Sequence, residues 1–421
     1  MRAFRLLLAG MCLLIGAVHA DDDYVASDGL RAAGLVKFWQ ARAPLDSTQA
    51  IADAYLVDDQ IYLTTGDGFV FAIHAHTGAI RWVRQVTRAG YRVLRPCHAG
   101  DRTIFATPTY VTQYGRYFGE PILQTPLRFP AGSPPASDGY RFYVGGIDRR
   151  AYAFGLNNDF ETWKFVTHGQ ITAQPTLYEG ELFVAAGDGG VYACRASNKA
   201  KRWIFSTYDA ITAAPAVDEN GVYIASEDQS LYLIDRATGG LRWRARLTGP
   251  LIEPPALTAE VAYQHTVEDG LVAVNTAGFT EDDRIRWRIP FGRSLLTVDD
   301  RHAYVLTSDQ RVVVAKLETG QTVREIPVRG FSMAMPAPAD GAVYLAAPDG
   351  RVFCARLRGA KHVTAEQIRA ALRPAAEEAT EESREKTEAA KAAPSSADIL
   401  RSSTLPLGGK SKVTKEFQGG G

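Results

Sequence analysis

Residues 171–206 read ITAQPTLYEGELFVAAGDGGVYACRASNKAKRWIFS. Ile171 to Leu177 is rich in small and β-branched residues, and Glu179-Gly180 follows as a turn. Leu182 to Ala186 is apolar, and Asp188-Gly189 reads as a hairpin turn. Val191 to Arg195 alternates, Ser197-Asn198 turns, and Arg202 to Ser206 alternates again. No helical period runs through the stretch. Four short strands in about 40 residues predict one blade of a β-propeller. Parallel β-helices repeat at shorter periods, and helical arrays show 3.6-residue spacing.

The pattern recurs along the chain. Asp67, Asp148, Asp188, Asp228, Glu268, Asp309 and Asp349 each precede one recurring position, held by Ala72, Ala153, Ala193, Leu233, Ala273, Val314 and Cys354. The acidic residues fall about 40 residues apart, and a double step after Asp67 predicts one degenerate unit before Asp148. Trp82, Trp163, Trp203, Trp243 and Trp287 keep the same beat, Trp287 late because Gly278 to Asp283 lengthens a turn. Arg324 takes the Trp place in the next unit. The last unit has strands at Ala342 to Ala347 and Arg351 to Leu357 but no Trp strand after them. Leu35-Val36-Lys37-Phe38-Trp39-Gln40 at the N-terminus supplies one, so strand 35–42 is expected to close the ring on the outside of the last blade. Closure removes open strand edges, which invite aggregation. The expected fold is all-β: an eight-bladed β-propeller over residues 35–360 with four antiparallel strands per blade. Seven blades is the alternative if residues 97–135 are an insertion. A Trp on an outer strand buries a large apolar area between blades, and its N–H can reach a backbone acceptor. Trp39, Trp82, Trp163, Trp203, Trp243 and Trp287 are therefore expected to dock blade on blade.

Composition bounds the function. Lys and Arg number 47 and Asp and Glu 47, so no global field draws the chain to nucleic acid or an anionic membrane. Residues 1–20 read as a secretory signal: Arg2 and Arg5, then an apolar run from Leu6 to Val18, then Val18-His19-Ala20. That run is shorter than the roughly 20 residues needed to span a bilayer. Met11 stands between Leu8-Ala9-Gly10 and Cys12, which argues against a lipid-attachment site. The expected protein is exported, periplasmic or envelope-associated, without a lipid anchor or a transmembrane segment once the signal is removed. Residues 21–34 read as a linker. The mature cysteines, Cys97, Cys194 and Cys354, share no C-x-x-C, and blade phase predicts three unpaired thiols. Residues 361–421 form a charged Ala/Glu/Lys tail, expected to be partly helical and then disordered.

Thr77-Gly78 with Trp82 and Thr238-Gly239 with Trp243 keep a Thr-Gly-x-x-x-Trp motif intact, and Thr319-Gly320 keeps its turn. With the acidic turn and the small residue upstream, the repeat resembles that of the pyrroloquinoline-quinone-type propellers, over residues 35–359. The resemblance is specific for fold and weak for function. It implies, for the dehydrogenases of that family, a calcium site of carboxylates and amides, a catalytic Asp and often a vicinal disulfide. This chain has no Cys-Cys pair and no loop insertion to build such a pocket. No catalytic residue, metal or cofactor is expected. His74 and His76 share a face but lack further ligands. Size, export and blade number resemble the outer-membrane assembly propellers of the family, although the lipid-attachment cysteine is missing and the tail is added. The expected function is a non-catalytic scaffold or adaptor that binds another envelope or secreted protein, such as an outer-membrane assembly component. The alternative is a quinoprotein-dehydrogenase-like enzyme or a ligand sensor that uses the propeller face.

A four-stranded blade has two ends. Turns between its second and third strands share an end with the links between blades; its other two turns lie opposite. The first face is expected to gather Arg92, Arg95, Arg149, Arg150, Arg293, Arg311, Arg329 and Arg351. The second gathers acids such as Asp58, Asp59, Asp159, Glu179, Glu260, Asp282, Asp283, Asp299 and Asp340. Asp is favoured in turns whatever the partner. Arg is not, so Arg92, Arg95, Arg149, Arg150, Arg293 and Arg329 are the expected protein-binding residues, suited to bidentate pairing with an acidic segment.

Overall fold

A computed structural model describes residues 23–158, 160–277 and 284–359. The expected signal segment 1–20, the tail 361–421, Asp159 and the long turn around Asp282 and Asp283 lie outside them. Among the described residues the chain forms eight four-stranded antiparallel sheets. Blades 1 to 7 span 51–85, 97–126, 136–166, 176–206, 216–246, 256–289 and 292–327. Blade 8 joins Met333–Met335, Ala342–Ala346 and Arg351–Leu357 to the N-terminal strand Leu35–Arg42. Residues 97–126 are a complete blade, so the ring has eight.

Burial explains the apolar runs. A blade is covered on both sides by its neighbours, so its second and third strands bury both faces. Glu181–Ala185 and Gly190–Arg195 of blade 4 are buried at nearly every position, whereas the outer strand Lys201–Ser206 is exposed at alternate ones. The core is accordingly a series of clusters between blades. Phe183, Val191 and Trp203 of blade 4, for example, pack with Val222, Ile224 and Tyr232 of blade 5.

The recurring small residue and the recurring Trp are cross-strand partners. Ala72 pairs with Trp82, Ala153 with Trp163, Ala193 with Trp203, Leu233 with Trp243, Ala273 with Trp287 and Cys354 with Trp39. A small partner leaves room for the indole, and a bulge interrupts the ladder beside each pair. Each indole N–H donates to a carbonyl of the next blade: Trp39 to Ala75, Trp82 to Arg116, Trp163 to Ala196, Trp203 to Arg236, Trp243 to Thr276 and Trp287 to Leu317, at 2.7–3.2 Å. The glycine of the motif has its own role. Gly78, Gly119, Gly239 and Gly320 have φ of +66° to +74°, and a Cβ on any of them would come within 2.6–2.7 Å of the preceding blade's Trp.

Two seams lack the Trp and reach the same end differently. In blade 2 the pair is Gln113 opposite Leu123, with the large and small positions exchanged. Gln113 Nε2 donates to Leu156 O at 2.9 Å and Arg102 Nη1 to the same carbonyl at 3.1 Å, replacing the indole at seam 2/3. In blade 7 Val314 faces Arg324, whose Nε donates to Ala32 O at 3.2 Å. That acceptor belongs to the segment expected as a linker. The structure corrects this expectation: Ser27–Ala32 is a short helix, Val25 and Leu30 are buried in the core between blades 7 and 8, and Tyr304 donates to Ala33 O. The N-terminal segment thus takes the place of the missing turn between the third and outer strands of blade 8, and the Arg358 N–H closes it onto Gly34 O at 2.8 Å.

The exchange in blade 2 is testable. Gln113→Ala removes a buried hydrogen bond and is expected to cost about 1–3 kcal/mol. Adding Leu123→Trp re-creates the Ala–Trp pair of the other blades and should recover much of the loss in denaturant midpoint. A double variant no more stable than Gln113→Ala would show that the two positions do not compensate.

Candidate interaction faces

The face carrying the links between blades holds most of the arginines singled out above, and most are engaged there. Arg92 clamps Asp53 with Nε at 3.0 Å and Nη2 at 2.7 Å, and Arg95 donates to Leu56 O at 2.8 Å. Together they draw the link between blades 1 and 2 onto the innermost strand Ile51–Val57. Arg150 pairs with Asp148 at 3.0 Å, Arg293 with Glu253 at 2.7 Å, Arg311 with Asp309 at 3.0 Å and Arg351 with Asp349 at 2.7 Å. Among the described residues Arg149 and Arg329 have no acidic partner. The surplus of positive charge expected on this face is therefore largely cancelled by acids of the same turns. Sequence order could not show the pairs of Arg92 and Arg293, because Asp53 reaches the face from the innermost strand of blade 1 and Glu253 from the link between blades 5 and 6.

The face also exposes large apolar side chains. Tyr208 is 83% exposed, Ile252 53%, Val267 76% and Phe291 72%. They lie on the links and turns from blade 4 to blade 7, one after another around the ring. Phe291 also holds φ at +61°, a left-handed conformation that bulky residues rarely adopt. These positions carry no periodic signal, since none repeats with the blade period.

On the opposite face the acids are also locally engaged. Asp59 hydrogen-bonds Arg116, Glu179 pairs with Arg236 at 2.8 Å, and Asp340 with Arg356 at 2.5 Å. Asp58 accepts from His98 Nδ1 at 2.7 Å, while His98 Nε2 lies 2.7 Å from the Tyr62 hydroxyl. His74 and His76 are neighbours with ring centroids 5.7 Å apart, and His74 Nδ1 is 2.9 Å from Thr77 Oγ1. Burial first, and the Arg81 charge second, lower the His74 pKa to about 4, so its ring is neutral near pH 7. Among the described residues no three His, Cys, Asp or Glu side chains gather as a metal-binding group. A calcium-dependent quinone needs converging carboxylates; at the linking face Asp53 and Glu253 are instead held by Arg92 and Arg293. These residues do not fit that group. Cys97, Cys194 and Cys354 are unpaired and lie in blades 2, 4 and 8.

Residues 111–209 and 196–280 match the family model described as outer membrane protein assembly factor BamB, so the chain carries BamB-like, pyrroloquinoline-quinone-type propeller repeats. The crystal structure of BamB from Moraxella catarrhalis superposes with a TM-score of 0.62 at 17% identity, covering 78% of this chain and 99% of that one. A quinohemoprotein alcohol dehydrogenase, ADHIIG from Pseudomonas putida HK5, superposes at 0.58 with 14% identity, covering 79% of this chain and 77% of that one. The tetrathionate hydrolase of Acidithiobacillus ferrooxidans is 24% identical over 159 residues, 37% of this chain and 29% of that protein. The match thus spans less than a third of that relative's length. A fold shared by an assembly factor and by enzymes does not fix the activity.

Proposed function

We propose that the chain is an exported, non-catalytic scaffold that binds another protein of the envelope through the linking face of the propeller. The observation that supports this reading is the exposure of Tyr208, Ile252, Val267 and Phe291 on neighbouring links and turns of one face, since an exposed apolar surface marks an interaction site when its residues gather. Phe291 adds to it: a bulky residue kept outward in a strained conformation is retained against stability. Arg149 and Arg329, lacking acids of their own, are the arginines of the face best placed to pair with an acidic residue of the partner. The family model suggests an outer-membrane assembly component as that partner.

Phe291→Gly separates function from stability, because glycine relieves the backbone. Combined with Tyr208→Ser, it is expected to leave the melting temperature unchanged or higher and to lower capture of the envelope partner about tenfold or more. Equal capture by the variant would sink the docking face. Calcium-dependent dye reduction on adding pyrroloquinoline quinone would overturn the non-catalytic reading.

A further inference from the structure

A cleft of about 480 Å³ opens on the face opposite the links, within the size range of ligand pockets. Blade 4 supplies both walls, Glu179–Glu181 and Arg195–Ser197; blade 3 adds Asp138, and blade 5 adds Arg236 and Ala237. Two seam contacts hold it in shape, Trp163 donating to Ala196 O and Trp203 to Arg236 O. A site fixed in this way needs little reorganisation when a ligand arrives.

The charges of the cleft do not balance. Asp138 is taken up outside the cleft: Arg141 Nη1 pairs with its Oδ2 at 3.7 Å, the N–H groups of Tyr140 and Arg141 donate to Oδ1 at 2.9 and 2.6 Å, and the Tyr143 hydroxyl to Oδ2 at 2.6 Å. Glu181 pairs with Arg202 at 3.1 Å and Glu179 with Arg236 at 2.8 Å. Arg195 is exposed, and among the described residues it has no ion pair. Arg236 lies over the Tyr178 ring at 4.4 Å, and its Nη1 has no hydrogen-bond partner. Arg195, Arg202 and Arg236 therefore meet only Glu179 and Glu181, leaving one positive charge over. Glu179 has φ at +46°, and its carboxylate meets Arg236 of the next blade from that strained turn.

We infer that this cleft binds a carboxylate presented by a peptide segment, with Arg195 as its counter-charge. One surplus charge matches a carboxylate; a phosphate dianion would exceed it. Tyr140, 80% exposed and two residues from Asp138, offers the segment an apolar rim. The site lies on the other face from Phe291 and does not depend on docking there.

The full chain is titrated calorimetrically with acetyl-Gly-Asp-Gly amide, with its Asn counterpart, and with inorganic phosphate at matched ionic strength. The Asp peptide is expected to bind about tenfold tighter than the Asn peptide, as a charge-assisted contact of that kind allows. Arg195→Glu should abolish the difference, with a small loss of melting temperature because it faces Glu181 across the ladder, and Arg195→Lys should keep part of it with unchanged melting, since the side chain is exposed. Equal binding of the two peptides, no binding of either, selectivity that survives Arg195→Glu, or phosphate binding tighter than the Asp peptide would each overturn the inference. Phe291→Gly should leave the selectivity intact, so the two sites fail separately.

Discussion

Deleting residues 21–42 is expected to leave a propeller that no longer closes, and to remove most of its cooperative stability. The strand Leu35–Arg42 pairs with Arg351–Leu357 along its whole length, from Leu35 opposite Leu357 to Arg42 opposite Arg351. Its loss strips blade 8 of its outer strand and seam 8/1 of the Trp39 contact to Ala75 O. The segment before it is lost as well, taking Val25 and Leu30 out of the core and the Ala32 and Ala33 carbonyls away from Arg324 and Tyr304. Each fully buried large apolar side chain contributes about 1.5–3 kcal/mol, so Val25, Leu30 and Leu35, with the half-buried Trp39 added, reach the order of a domain's whole stability. The third strand of blade 8 would become an open edge, and association should follow. Thermal unfolding and gel filtration check both outcomes. A truncated chain that melts at the temperature of the full one would refute ring closure by this segment.

The ring was legible because its markers have physical causes that act at fixed spacing. The small residue and the Trp recur together because they face each other across one ladder, as Ala193 and Trp203 do. The acidic residue recurs because it closes the hairpin before them; Asp188, for instance, accepts from the Tyr192 hydroxyl at 2.7 Å. The degenerate second blade was legible only as a gap. Gln113 and Leu123 exchange the large and small roles, which no search for Trp can see. The role of residues 23–34 was hidden for a similar reason, since a six-residue helix carries little periodic signal and its partners lie in blades 7 and 8. Surface chemistry was the least legible part. Charges could be assigned to a face from blade phase, but whether Arg92 faces solvent or Asp53 depends on how a link folds onto an innermost strand. The excess charge at Arg195 has the same origin, because Asp138, Glu181 and Glu179 take partners from three different blades.

Trp203→Ala is expected to cost about 3–5 kcal/mol, the usual range for emptying a buried aromatic site. The loss has two parts at seam 4/5: a cavity among Phe183, Val222, Ile224 and Tyr232, and an Arg236 carbonyl left without its 2.7 Å donor. Gly239→Ala acts on the same seam from the other side. Its new methyl would lie 2.6 Å from Trp203 Cγ, and its φ of +74° adds roughly 1–2 kcal/mol of backbone strain. The tightest part of the clash, against Cγ and Cδ2 at 2.6 and 2.7 Å, exists only while the indole is there; the contact with Cβ at 2.8 Å stays in alanine. In the Trp203→Ala background Gly239→Ala should therefore cost less, the backbone strain and the remaining Cβ contact, and the two substitutions should fall short of additivity by about 1–2 kcal/mol, within the coupling seen for residues in contact. Denaturant unfolding of the four proteins in the cycle measures that coupling. Strict additivity would mean that the glycine recurs for its turn alone and not for the Trp above it.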